Sequence, residues 1–194
     1  HITTGEGGMI TTNSEALYQK LIALRSHGIK SVFDDISHGP RYYEMQELGF
    51  NYRLTDIQAA LGISQMDKLD FFIKRRRHIA SVYNEAFAGL PLQLPASLID
   101  AHSSYHLYVI KLSPQAQITR NELYFELKKR GIHTQVHYIP IHTFPYYRHE
   151  LGCRPGDYPI SEKHYERILS LPIYPAMTDE DIQKVIKAIR EVMA

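Results

Sequence analysis

Residues 103–140, "SSYHLYVIKLSPQAQITRNELYFELKKRGIHTQVHYIP", decide the fold class. "SSYHLYVIKL" alternates apolar and polar positions as a half-buried strand does, and its Tyr, Val and Ile suit a pleated surface. "TRNELYFELKKRGI" reads as a helix capped by Thr119 and closed by Gly131. "HTQVHYIP" reads as a second strand. Further on, "SEKHYERILSLPIYPAMTDEDIQKVIKAIREVM" offers a helix, a short strand "LSLPI" and a last helix, where Thr178 and Asp181 resemble a capping box with Asp in place of Glu. Strand, helix, strand, helix with short strands predicts a small α/β unit with its own core from about residue 100 onward, a compact sheet covered on one face.

Toward the N-terminus the texture changes. "HITTGEGGMITTN" (1–13) reads as two strand pieces around Gly5, Gly7 and Gly8, where a β-hairpin or a close backbone approach is expected. Asn13-Ser14 supplies a helix N-cap; Leu17, Leu21 and Leu24 share one face of the helix, and Gly28 stops it. "IKSVFDDISHGPRYYEMQELG" (29–49) has no clean period and contains Pro40, which predicts an ordered excursion or a loop. A helical rhythm follows from Thr55 or Asp56 through Ile79, too long for a typical single helix, with a bend near Gly62 or Leu69-Asp70, and the basic run Lys74–Arg77 reads as a solvated face. The first ninety residues hold one edge hairpin and helices. They have too little sheet to bury both faces of anything, so a larger sheet is expected upstream of His1.

Composition narrows the partners. Lys+Arg 22 against Asp+Glu 21 leaves no basic stripe for nucleic acid and no acidic tail. Cys153 stands alone and cannot form an internal disulfide, and no apolar run approaches the about 20 residues that span a bilayer. Both facts fit a cytoplasmic protein. The 14 Tyr and 11 His suit a polar ligand such as a sugar or nucleotide, although most Tyr of such a chain simply fill half-buried positions.

Three places carry candidate chemistry. A strand at 133–138 would put His133, Gln135 and His137 on one side and Tyr138 on the other; no Asp, Glu or Cys completes a zinc set, so a hydrogen-bonding wall for a ligand is expected and no metal. "NYR" (51–53) precedes a helix start, where free backbone N–H groups favour an anion; Asn51 would either donate to a phosphate or cap the helix. "GEGG" (5–8) lacks both the Lys-Ser/Thr of a phosphate loop and the spacing of a dinucleotide fingerprint.

Four stretches in order, "HITTGEGGMITTN", "LRSHG" (24–28), "GFNYRLTDIQAALG" (49–62) and "GIHTQVHYIPIH" (131–142), together resemble the DegT/DnrJ/EryC1/StrS family of sugar aminotransferases. The resemblance implies the C-terminal portion of a pyridoxal 5'-phosphate (PLP)-dependent transferase of the aspartate aminotransferase fold, fold type I. Residues 1–65 would be the end of the large PLP-binding domain, 66–98 a connecting helix and 99–194 the small α/β domain. The Schiff-base lysine would stand immediately before His1, so no residue of the chain itself is expected to be the catalytic lysine. Asn51 would reach across a homodimer interface to the phosphate of the partner's cofactor. Asn51, Arg53, Gln135, Val136, His137 and Tyr138 would contact a nucleotide-sugar substrate, and His27 and Gly28 match a motif near the site. Within the family the chain looks nearest to members that aminate C4 of a UDP-linked 4-keto-6-deoxy-N-acetylhexosamine, with glutamate as donor, for pseudaminic acid. Two alternatives stand beside this: a dehydratase or deoxygenase with His in place of Lys, and a noncatalytic sensor of cofactor or nucleotide sugar.

Overall fold

The computed structural model describes residues 1–31, 39, 42–96 and 99–193, of which Lys30 and Ser31 are described by backbone alone. The chain forms two compact units, Ile2–Lys68 and Leu69–Ala194, with His1 grouping with the second.

The second unit carries the core. β3 (Leu92–Gln93), β4 (Tyr108–Leu112) and β5 (Ile168–Leu171) form an antiparallel sheet in that order, with Leu92 opposite Leu112 and Val109 opposite Ser170. On β4 the alternation is as the sequence predicts: Tyr108, Ile110 and Leu112 are buried and join Leu169 and Leu171 of β5 in one hydrophobic cluster. Three helices add to that cluster: α3 (Leu69–Ala86), α4 (Arg120–Lys129) and α7 (Asp179–Met193). In α7, Ile182, Val185, Ile186 and Ile189 recur at helical spacing on its buried stripe. Thr119 caps α4 in a reciprocal box with Glu122, and Thr178 makes the same pair of bonds with Asp181. Tyr83 and Tyr108 meet edge to face within the core; their hydroxyls donate to Pro172 O and Asn84 Oδ1, and burial pushes both phenols upward from their ordinary pKa.

In the basic run of α3 Lys74 is exposed, as a solvated face requires, but the three arginines bind protein carbonyls. Arg75 donates to Met177 O and Asp179 Oδ1, and Arg77 to Ser103 O and His102 O. Arg76 Nη1 serves Tyr105 O, His106 O and Ile173 O, at 3.1, 3.1 and 2.9 Å. The loop before β4 and the segment after β5 have no ladder partners for these carbonyls, and the guanidinium groups satisfy them.

The segment 133–140 also departs from expectation: it is not a strand. Gln135 alone pairs with the free edge of β5, exchanging both backbone bonds with Ser170. At His137 the ring, not the backbone, bonds to that strand. The segment then closes in a 3-10 turn, Ile141–Thr143. α5 (Pro145–Glu150) and α6 (Pro159–Tyr165) lie between this turn and β5. Buried His142 bonds through Nε2 to Glu162 Oε1 at 2.7 Å, and the same oxygen accepts from Gly156 N.

The first unit is built differently. α1 (Glu15–Arg25) is capped by Ser14, and α2 (Asp56–Met66) by a Thr55–Gln58 capping box; neither helix buries a side chain. β1 (Ile29–Ser31) and β2 (Tyr43–Met45) pair antiparallel; residues 32–38, 40 and 41 of the expected excursion, Pro40 among them, lie outside the described residues. No strand forms in residues 1–13: Gly5 N donates to Thr3 Oγ1 and Thr4 Oγ1 to Glu6 O, so local side-chain bonds replace a hairpin ladder. The helical rhythm breaks at Asp67-Lys68, between α2 and α3. Among the described residues of this unit Gly28 alone is buried, while Met9, Ile10, Leu48, Ile57 and Ile63 are more than half exposed.

Candidate functional site

The geometry around Asn51 begins at the end of α1. A helix leaves its last carbonyls without intrahelical donors. Here Gly28 N closes back on Ala23 O at 2.8 Å, with His27 and Gly28 both at positive φ, 63° and 66°. In the usual Schellman ending the residue at His27 would also donate to Leu24 O. That place is taken by a distant segment: Phe50 N donates to Leu24 O at 2.7 Å, His27 N donates to Phe50 O at 2.8 Å, and Tyr52 N donates to Arg25 O at 2.9 Å. "RSHG" and "GFNYR" are thus one device, a helix terminus completed by an extended strand.

The approach is close enough to demand glycine twice. A Cβ on Gly28 would stand 1.8 Å from Glu47 O, and one on Gly49 would stand 2.1 Å from Gly28 N. Beyond this crossing Ser26 and Asn51 form an isolated antiparallel bridge. Phe50 and Tyr52 stack on each other, with centroids 4.8 Å apart, so they share one side of the extended segment and Asn51 takes the other. Asn51 and Arg53 are exposed and, among the described residues, make no side-chain bond. Asn51 is therefore not the helix cap; Thr55 is. The Thr55–Gln58 box also occupies two of the donors that an anion at the start of α2 would need.

The other predicted residues lie in the second unit. Val136 packs against the core, Gln135 is exposed, and Tyr138 is 70% exposed. His137 is half-buried; its Nδ1 lies 2.8 Å from Ser170 Oγ and its ring meets Tyr138 edge to face. One ring nitrogen is tied to β5 and the other has no partner among the described residues. Ser170 itself was not among the sequence candidates; the only signal is a polar residue inside an otherwise apolar strand, "ILSL". Among the described residues no group of three His, Cys, Asp or Glu is placed to hold a metal, and no helix is long and apolar enough to cross a membrane.

Comparison with known proteins shows the family. The chain matches the DegT/DnrJ/EryC1/StrS aminotransferase family over residues 1–190 and belongs to it. It is 43% identical to the uncharacterized protein MJ1066 of Methanocaldococcus jannaschii and 40% identical to the spore coat polysaccharide biosynthesis protein SpsC of Bacillus subtilis. Both matches take in 100% of this chain and 51% of the relative, so the chain spans about half the length of the curated relatives it matches. Among solved structures, Helicobacter pylori PseC, an aminotransferase involved in the biosynthesis of pseudoaminic acid, superposes with TM-score 0.80 at 30% identity over 94% of this chain and 47% of that one. The PLP-form of Spr1654 from Streptococcus pneumoniae gives TM-score 0.81 at 27% identity over 96% of this chain and 45% of that one. The fold is that of the C-terminal portion of a PLP-dependent transferase of fold type I.

The donor set fits a cofactor with a phosphate. Asn51 offers an amide and Arg53 a guanidinium, neither engaged by a described protein group, on a segment whose backbone is fixed by two bonds to α1 and one from His27 just beyond it.

Proposed function

We propose that the complete protein is a PLP-dependent aminotransferase that moves an amino group from glutamate to the C4 keto group of a UDP-linked 4-keto-6-deoxy-N-acetylhexosamine, in pseudaminic acid or related amino-sugar biosynthesis. The observation that carries the reading is the clamp between the end of α1 and residues 49–52, which holds Asn51 outward on a rigid segment with its amide unpaired. Family membership and the likeness to PseC support it.

In this reading residues 1–65 end the cofactor-binding domain, 66–98 connect, 99–194 form the small domain, and the cofactor-bearing lysine stands directly before His1. When bound, PLP supplies an electron sink that makes amino-group transfer between carbon centres feasible. Asn51 donates its amide N–H to the phosphate held by the partner copy of a homodimer. Fixing that donor in advance avoids ordering a loop at the moment of binding. Arg53 meets a substrate phosphate, where its forked donors match paired oxygens. Gln135 and His137 offer polar contacts to the sugar nucleotide; Val136 anchors the segment in the core, and the exposed ring of Tyr138 gives the ligand a flat apolar surface.

The test is direct. The complete protein, incubated with glutamate and the UDP-4-keto sugar, should release 2-oxoglutarate and a sugar nucleotide bearing one new amino group, both read by mass spectrometry. Loss of oxygen from the sugar without 2-oxoglutarate, or no change in either substrate, would refute the proposal.

A further inference from the structure

Ser170 is 4% exposed, on a strand whose four residues are all buried. Its neighbours Leu169 and Leu171 enter the main core cluster, so by strand alternation Ser170 faces the other side of the sheet. A hydroxyl buried there without a partner is costly, and its one partner among the described residues is His137 Nδ1, at 2.8 Å. Backbone bonds in both directions between Gln135 and Ser170 hold the two segments in register.

The hydrogen of that hydroxyl decides the chemistry. If Nδ1 carried the imidazole proton and donated to Oγ, the serine hydrogen would point into a buried region with no other partner among the described residues. If the serine hydrogen goes to a bare Nδ1, both groups are satisfied, and the neutral ring carries its proton on Nε2. Nε2 has no bond to any described protein group. It is then a hydrogen-bond donor facing outward.

From this geometry we infer that Ser170 is a positioning residue: it locks His137 in the Nε2–H tautomer, so that the ring presents a donor to an acceptor oxygen of the bound sugar nucleotide. The inference rests on the proposed role of residues 135–138 and adds the proton position and the residue that sets it. Asn or Gln could also donate there, but a ring held by its rear nitrogen donates in one direction only, and that suits a fixed oxygen of a rigid ligand.

The experiment compares the complete protein with its Ser170→Ala and Ser170→Thr variants. Nitrogen-15 NMR of labelled histidine reads the tautomer, with the His137 signal assigned by its loss in His137→Gln, and calorimetry with UDP reads binding. Wild type should show a bare Nδ1 and a protonated Nε2. Ser170→Ala should populate the Nδ1–H form and bind UDP about three- to tenfold more weakly, the range of one lost hydrogen bond. Ser170→Thr, which keeps the hydroxyl, should restore both. An unchanged tautomer in Ser170→Ala would overturn the inference, as would unchanged UDP affinity alongside an altered tautomer. Wild type that fails to bind UDP at all would overturn the underlying reading of the site, and with it the ligand half of the inference, while the ring signals would still report whether Ser170 sets the proton.

Discussion

Replacing Gly28 by Ala tests the clamp. Gly28 has φ +66°, which costs a residue with a Cβ about 1–2 kcal/mol. The added Cβ would stand 1.8 Å from Glu47 O and 3.3 Å from Gly49 N, both backbone atoms that cannot rotate away. The Glu47 peptide must therefore shift by about 1.6 Å or more to regain ordinary contact, and that breaks Gln46 N to Gly28 O and at least one bond of the Phe50 pair. At about 1 kcal/mol for each lost bond the local cost is about 3–4 kcal/mol. Gly89 is the control, with φ +82° and nothing within 4 Å of an added Cβ, so Gly89→Ala should cost only the conformational part. Hydrogen exchange of the Phe50 and Tyr52 amides, followed in the complete protein, should speed up by about two to three orders of magnitude in Gly28→Ala, since about 1.4 kcal/mol is tenfold. Exchange within a few-fold of wild type, or a melting temperature no lower than that of Gly89→Ala, would refute the reasoning.

Three further predictions address separate parts of the molecule. Asn51→Ala should weaken cofactor retention on dialysis without lowering the melting temperature of the cofactor-free protein, because the side chain bonds to none of the described residues; unchanged retention would remove Asn51 from the site. The hydrogen bond from His142, and then that from Gly156 N, hold the Glu162 carboxyl below its ordinary value of 4.5. A depressed folded pKa contributes stability above the unfolded value that is lost as pH falls through the folded one, so α6 should loosen below about pH 4.5. Glu162→Gln should flatten that dependence in acid unfolding curves, and an unaltered curve would show the pair to be inert. Arg76→Ala should destabilise the second unit by about 3 kcal/mol in denaturant unfolding, and Arg76→Lys by less, because a single nitrogen serves all three carbonyls; an alanine variant as stable as wild type would mean the carbonyls find water.

Local rules carried the sequence reading where the answer was local. Ser14, Thr55, Thr119 and the Thr178–Asp181 pair start helices because a cap needs only three or four residues of context. The alternation of 108–112 was legible for the same reason. Arg75–Arg77 were not, since three consecutive cations have the same pattern whether they meet water or the carbonyls of loops about thirty and one hundred residues away. "HTQVHYIP" has strand composition, but one backbone pairing and one ring-to-hydroxyl bond suffice to seat it. At the site, the motifs "RSHG" and "GFNYR" were visible as words, and their union was not: it is a long-range backbone pairing whose only sequence trace is the pair of glycines that must touch.

The central claim is that this fold serves amino-group transfer through a lysine-bound cofactor. It is tested most directly by the absorbance spectrum of the complete protein, before and after borohydride and then, on an untreated sample, with glutamate. The account predicts a visible band that borohydride fixes covalently to the residue directly before His1, and that glutamate converts to the amine form of the cofactor. A bound cofactor that borohydride cannot attach, or a protein that carries none, would contradict it.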